Sequence, residues 1–182
     1  MELSAAQRER YERNLLVEGF TDRMQQALIA ARVAVVGAGG LGSAALNYLV
    51  AAGVGHLTLI ENDTVSLSNL QRQVLYTTAD MGRPKAEVAA MRLSRLNPGC
   101  NIRVVTDRLT AANAAGLLGG HDAVVDCTDN YDARYVIDDF CREAEVPMIY
   151  GTAEAVGGQV AVFHAGGAGG YRDLYPERAS QK

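Results

Sequence analysis

A short apolar run, Val33-Ala34-Val35-Val36, passes straight into Gly37-Ala38-Gly39-Gly40-Leu41-Gly42, and a segment with helical periodicity follows. Few folds accommodate that order. A continuous apolar run of this length reads as a strand covered on both faces, the kind found in parallel sheets. Glycines spaced G-x-G-x-x-G behind it permit a tight turn and a close backbone approach before a helix opens. Leu41, Ala44, Ala45, Tyr48, Leu49 and Ala52 recur at helical spacing and predict one apolar helix face. Gly53 and Gly55 close that helix, and Leu57-Thr58-Leu59-Ile60 reads as a second strand. Strand, helix and strand in about thirty residues make a βαβ unit.

The alternation continues to the end of the chain. Pro84 opens a helix with Ala86, Ala89, Ala90 and Leu93 on one face, stopped by Asn97-Pro98-Gly99. Ile102 to Val105 predicts a third strand, Ala111 to Leu118 a short helix, and Ala123 to Asp126 a fourth strand. Tyr131 to Ala144 carries Ala133, Val136, Ile137, Phe140, Cys141 and Ala144 at helical spacing. Met148-Ile149-Tyr150 and Gln159 to Phe163 read as strands five and six. The fold class is therefore α/β: a doubly wound, mostly parallel, Rossmann-like sheet with helices on both faces. Residues 1–30 form an N-terminal helical arm of two short helices broken near Gly19, residues 31–165 the nucleotide-binding unit, and residues 166–182 a Gly-rich C-terminal segment. Seven of the 19 glycines fall between Gly151 and Gly170, so that stretch reads as loop-rich.

Composition narrows the partners. No stretch of ~18 apolar residues occurs, so no membrane span is expected. The first residues lack a signal-peptide pattern, and three cysteines without a C-x-x-C pair suggest a cytoplasmic setting. A net charge of −4 argues against broad electrostatic capture of nucleic acid. Arg8, Arg10 and Arg13 interleave with Glu2, Glu9 and Glu12, the usual pattern of a solvated helix face. His56, His121 and His164 show no ligand spacing.

The glycine loop carries the first chemical reading. Backbone N–H groups at a helix N-terminus favour phosphate oxygens, so Gly37, Gly39, Gly40 and Gly42 predict a phosphate site. Glu61, 24 residues beyond Gly37, stands where an acid holds ribose hydroxyls. A glycine turn that only allows helix–strand packing is the plainer alternative. The loop does not choose the nucleotide, and by itself it favours NAD. The segment from Glu61 to Lys85 shifts the balance. A diphosphate bridge is satisfied largely by backbone donors, whereas a triphosphate with a departing group calls for cations such as Arg72 and Lys85. Lys85 reads as a movable point charge in the first turn of a helix. With strands ordered 3-2-1-4-5, the glycine loop and Asp129 open onto one crevice. Asp129 can hold Mg²⁺ against phosphates, or cap the helix that follows. Cys127 reads as a small buried side chain rather than a nucleophile.

Four ordered motifs carry a resemblance: Gly37 to Gly42, Ser68-Asn69-Leu70-Gln71-Arg72-Gln73, Gly82-Arg83-Pro84-Lys85, and Cys127-Thr128-Asp129-Asn130. Together with Tyr11-Glu12-Arg13, they make the chain similar to the ThiF/MoeB/HesA family, bacterial relatives of ubiquitin-activating enzymes. Asn14 replaces the family's Gln after Arg13. The resemblance implies an ATP- and Mg²⁺-dependent adenylyltransferase acting on the C-terminal carboxylate of a small ubiquitin-like sulfur carrier with a Gly-Gly tail. It implies catalytic roles for Arg72, Lys85, Asp129 and Arg13, nucleotide contacts from Glu61, Asp63 and Asn69, and metal at Asp129. Arg13 would reach in from a second subunit, which implies a homodimer. The family's zinc cysteines are replaced at Gly170 and Asp173, so no zinc is expected. The chain stops at Lys182, short of the family's C-terminal part, and no thioester step is expected from it. A non-catalytic nucleotide-binding partner subunit and an NAD-dependent oxidoreductase stay open as alternatives. A family relative acts on a modified tRNA adenosine, and the resemblance alone does not exclude that substrate.

Overall fold

A computed structural model describes residues 2–176. Three helices come first: α1 (Ala5–Arg10), α2 (Glu12–Leu15) and α3 (Asp22–Ala30). The alternating part follows as β1 (Arg32–Val36), α4 (Gly40–Ala52), β2 (His56–Ile60), α5 (Lys85–Leu96), β3 (Asn101–Val105), α6 (Ala114–Leu118), β4 (Ala123–Asp126) and α7 (Tyr131–Ala144). A hairpin of β5 (Met148–Glu154) and β6 (Gly157–Phe163) and a short α8 (Tyr171–Leu174) complete the described chain. The sheet order is β3-β2-β1-β4-β5-β6, parallel throughout except for β6, which pairs antiparallel with β5.

Side-chain alternation divides the core between the two faces of the sheet. Val33, Val35, Leu57 and Leu59 pack with Leu46, Val50, Ala89 and Leu93 under α4 and α5. Ala34, Val36, Val124 and Met148 pack with Leu118, Ile137 and Cys141 under α6 and α7. A strand must be apolar at successive positions to serve both layers, which is why β1 reads as an unbroken run.

Several sequence expectations are corrected. The arm holds three helices rather than two, because the chain turns at Tyr11 as well as near Gly19. α6 starts at Ala114, three residues later than expected. β5 runs on to Glu154 and β6 starts at Gly157, so Gly151, Gly157 and Gly158 lie in a strand pair rather than a loop. The expected face of α4 is also the wrong one. Leu41 is 38% exposed and Tyr48 78%, whereas Gly42, Ser43, Leu46 and Val50 are buried. The helix is apolar nearly all round, so periodicity admits two faces, and the sheet takes the one whose small residues permit the closest approach.

The arm is fastened at the far end of α4. Asn14 Nδ2 and Gln25 Nε2 donate to the Ala52 carbonyl at 3.2 and 2.9 Å, and Asn97 Nδ2 donates to the buried Tyr11 hydroxyl at 2.9 Å. Asn14, the departure from the family pattern, thus finds its own partner. At the other end of the chain, Asp138 accepts from His164 Nε2 at 2.7 Å and from the Tyr171 amide at 2.6 Å, tying α8 to α7. Within the C-terminal segment expected over 166–182, Gly170 and Asp173 form a turn in which the Gly170 amide donates to Asp173 Oδ2 at 2.7 Å. Residues 177–182 lie outside the described residues, as does Met1 of the arm.

Candidate nucleotide site

The carboxyl ends of β1, β2 and β4 open onto a cavity of about 590 Å³. Its floor is the glycine loop. Gly37 sits at φ +94°, and a Cβ there would meet the Cys127 carbonyl oxygen at 2.8 Å, so glycine is required on two counts. Gly42 is held so close to the loop that its Cβ would fall 2.0 Å from the Gly37 carbonyl oxygen. Gly39 is the N-cap of α4 and supplies no side-chain acceptor. The first-turn N–H groups are therefore left to receive an anion.

Glu61 follows β2 directly and binds the loop to the next segment. Its Oε2 accepts from the Ala38 amide and its Oε1 from the Asp63 amide, both at 2.8 Å. A carboxylate has about four lone-pair directions. Glu61 can accept ribose hydroxyls without releasing either bond. From the other side, the buried Tyr76 hydroxyl donates to the Ala38 carbonyl at 2.9 Å. Burial pushes that phenol above its ordinary range, so it stays a donor. Tyr76 belongs to the 65–84 segment that also carries Asn69 and Arg72. Asp80 anchors this segment by accepting from the Thr77 amide and hydroxyl, each at 2.8 Å, and by pairing with Arg92.

Lys85 departs from the sequence expectation. It is not a freely moving charge but only 3% exposed, with Nζ 2.6 Å from Asp63 Oδ2. Its amide donates to the Asp63 carbonyl at 2.9 Å, so backbone and side chain are both aligned. The hydrogen bond from Lys85 holds the Asp63 carboxyl below the usual carboxylate range. A carboxyl lowered on folding stabilises the fold above its unfolded value, and that contribution is lost as pH falls through the folded value. Urea unfolding should show Asp63→Asn less stable than the parent by about 1 kcal/mol between pH 5 and 7. The difference should vanish as pH falls well below about 4. A gap that persists undiminished at low pH would contradict the pairing.

Asp129 lies on the opposite wall, exposed, and makes no hydrogen bond or ion pair with other described residues. The capping role open to it falls to Asn130, whose side chain accepts from the Ala133 amide at 2.8 Å. Its neighbour Cys127 is half-buried, and burial pushes the thiol up to about 12, which keeps it protonated. Burial likewise raises Asp126 to about 6, against the hydrogen bonds that Thr128 donates to it.

Of the residues singled out from the sequence, Gly37, Gly39, Gly40, Glu61, Asp63, Asn69, Arg72, Lys85 and Asp129 line this one cavity. Gly42 stands behind the loop as a packing residue. Arg13 does not join them. It adjoins Asn14, which is bonded to the last residue of α4, while the first residue of α4 lines the cavity. The helix separates the two ends by ~18 Å. Sequence reasoning overlooked Arg108, Leu109, Arg134 and Thr152, which also line the cavity, as does Gln73 of the Ser68–Gln73 motif. The strand order could have found Arg108 and Leu109, because the segment after β3 must leave at the same edge as the glycine loop.

A glycine loop at a helix N-terminus, an acid after β2 and four cations in one crevice define a nucleotide-phosphate site of the doubly wound α/β class. A model of the ThiF family matches residues 11–182, and the chain belongs to that family. It is 49% identical over 162 residues to the molybdopterin-synthase adenylyltransferase of Salmonella typhimurium, covering 89% of this chain and 65% of that protein. It is 45% identical over 174 residues to the sulfur carrier protein adenylyltransferase of Thermus thermophilus, covering 93% and 64%. Among solved structures, the E. coli tRNA N6-threonylcarbamoyladenosine dehydratase in complex with ATP superposes with a TM-score of 0.77 at 32% identity, covering 82% of this chain and 61% of that one. The chain thus spans just under two thirds of the length of these relatives.

Proposed function

We propose that this chain carries the ATP site of an adenylyltransferase, which activates the C-terminal carboxylate of a small ubiquitin-like sulfur carrier as an acyl-adenylate. The convergence of Arg72, Lys85 and Asp129 on the glycine loop carries this reading. A dinucleotide needs no such set of charges, whereas a triphosphate losing pyrophosphate does. The kinship with proteins named for molybdopterin synthase and for a sulfur carrier protein supports the acceptor class. The ATP complex of the related dehydratase supports the nucleotide.

The chemistry asks little of a general base. A peptide C-terminus is ionised at pH 7. One carboxylate oxygen forms a bond to the α-phosphorus, the bond from that phosphorus to the α,β-bridging oxygen breaks, and pyrophosphate leaves with the electron pair. In this reading the first-turn amides of α4 and Asn69 hold the phosphates, Arg72 forks onto the departing pyrophosphate, and Glu61 fixes the ribose. Lys85, buried and oriented by Asp63, places positive charge at the α-phosphoryl group. Asp129 fits Mg²⁺, since that ion takes one or two carboxylates and completes its shell with phosphates and water. Asp129 is unpaired and open to the cavity, and no cluster of three His, Cys, Asp or Glu stands elsewhere among the described residues. The ion would neutralise phosphate charge there. In this reading Arg13, kept from its own cavity by the length of α4, serves the site of a second copy, and the working unit is a homodimer.

The reading predicts exchange of labelled pyrophosphate into ATP that depends on a Gly-Gly-tailed carrier. The assay should run against a panel of small β-grasp carriers of the thiamin and molybdopterin kinds, with tRNA as a separate arm. Asp129→Asn should lower the exchange rate by about 10²-fold and raise the Mg²⁺ concentration needed. Exchange with tRNA alone, or ATP binding without exchange for any carrier, would overturn the proposed acceptor.

A further inference from the structure

Thr128, the residue before Asp129, has every polar group engaged by one buried pair. Its amide and its hydroxyl both donate to Asp126 Oδ1, at 2.9 and 2.6 Å. Its carbonyl accepts from Arg134 Nη2 at 2.9 Å. Asp126 is fully buried at the end of β4, and the Arg134 side chain is only 8% exposed on α7. The guanidinium is held over the rings of Tyr131 and Tyr150, 5.4 and 5.2 Å from their centroids. On the other side of Asp129, Asn130 is fixed by its cap to Ala133. Asp129 is therefore the one unbonded side chain in a run whose flanks are clamped.

The pair is not arranged for its own strength. Arg134 Nε and Asp126 Oδ2 lie 3.8 Å apart, and both are buried without a hydrogen-bond partner among the described residues. A charge-assisted bond at full strength would close to about 2.8 Å. Both hydrogen bonds to Asp126 come from Thr128, and the shortest bond of Arg134 goes there too, with longer ones to the Tyr150 and Thr152 hydroxyls at 3.5 and 3.4 Å. Leaving two buried atoms unsatisfied costs about 1–3 kcal/mol each. That cost is readily understood if what the pair holds is a position rather than an ion pair.

We infer that Asp126 and Arg134 are positioning residues: by gripping Thr128 from both sides they aim the Asp129 carboxylate at the metal–phosphate position. The inference rests on the metal role proposed above for Asp129, and it assigns neither Asp126 nor Arg134 any contact with the reacting atoms. Partners that orient a metal-binding carboxylate characteristically set metal affinity by about 10–100-fold.

The test is ATP binding by calorimetry, in EDTA and at saturating Mg²⁺, on the full chain. The parent should bind ATP more tightly with Mg²⁺. Arg134→Met should lose most of the Mg²⁺-dependent gain, about tenfold or more, and lose much less of the affinity measured in EDTA. Arg134→Lys, which keeps the charge but not the fork, should recover part of that gain. Asp126→Asn keeps an acceptor for Thr128 and removes the charge, and it gives a second reading should Arg134→Met fail to fold; it should reduce the gain less than Asp129→Asn does. An Arg134→Met chain weakened equally in EDTA and in Mg²⁺ would overturn the inference, because Arg134 would then act on the nucleotide or on the whole cavity. The controls separate the two layers. If Asp129→Asn keeps the full Mg²⁺ gain, the metal role itself is wrong. If Asp129→Asn loses the gain while Arg134→Met and Asp126→Asn both keep it, the positioning role alone is wrong.

Discussion

Lys85→Ala is expected to reduce carrier-dependent pyrophosphate exchange by about 10²–10³-fold, the usual consequence of removing one preorganised charge from a transition state. The size of the effect follows from where the charge sits. Lys85 is 3% exposed, so its field is screened little by water, and Asp63 fixes its Nζ from 2.6 Å away. A charge already in place costs no reorganisation during the reaction. ATP affinity should change far less than the exchange rate, since the glycine loop and Arg72 are untouched. Lys85→Arg should not restore the rate, because a planar fork does not fit a position shaped for a compact ammonium. Equal loss of ATP affinity and exchange rate would assign Lys85 to ground-state binding instead.

Gly42→Ala is expected to be the most damaging single methyl in the glycine loop. The added Cβ would stand 2.0 Å from the Gly37 carbonyl oxygen, a backbone atom that yields only if α4 moves. Displacing α4 turns its first-turn amides away from the phosphate position. Overpacking of this kind costs about 1–3 kcal/mol in stability, and ATP affinity should fall by more than tenfold. Gly116, in α6, supplies the control, since a Cβ there meets nothing within 4 Å. Gly116→Ala should be neutral or stabilising by up to about 1 kcal/mol, as alanine is in a helix. Urea unfolding and calorimetry distinguish the two variants. A Gly42→Ala chain with parental ATP affinity would mean that the loop is not the phosphate site.

The parts of the fold that were legible in the sequence are those in which one local pattern admits one structure. Val33 to Val36 could only be a covered strand, and the alternation that followed implied the strand order in which β1 and β4 flank the crevice. α4 was misread because a helix apolar on nearly every side carries no unique period. Its buried face is decided by the approach of Gly42 to the Gly37 carbonyl, so close that a Cβ would fall 2.0 Å from that oxygen, which periodicity does not encode. The glycines after Gly151 were read as loop because glycine weakens strands on average. Here Gly157 and Gly158 lie in β6, paired with Glu154 and Ala153 of β5.

The site divides in the same manner. Residues drawn from contiguous motifs, Asn69, Arg72, Lys85 and Asp129, do meet in one cavity. The burial of Lys85 was not legible, since it depends on Asp63 folding back through the Thr64–Pro84 bridge. Nor was the grip of Asp126 and Arg134 on Thr128. An Asp at a strand end and an Arg one turn into a helix look like ordinary surface charges until the turn between them is built. Asn130 shows the reverse case. Capping was considered for its neighbour Asp129, and a shift of one residue frees Asp129 for another task.

Oxygen transfer tests the central claim most directly. A Gly-Gly-tailed carrier labelled with ¹⁸O in its terminal carboxylate is incubated with the protein, ATP and Mg²⁺, the activated carrier is released with a thiol, and the products are weighed by mass spectrometry. Attack of the carboxylate on the α-phosphorus predicts AMP that carries one ¹⁸O and a carrier that has lost one. Label that stays wholly in the carrier, or nucleotide recovered as ADP and phosphate, would contradict adenylation of the carboxylate at this site.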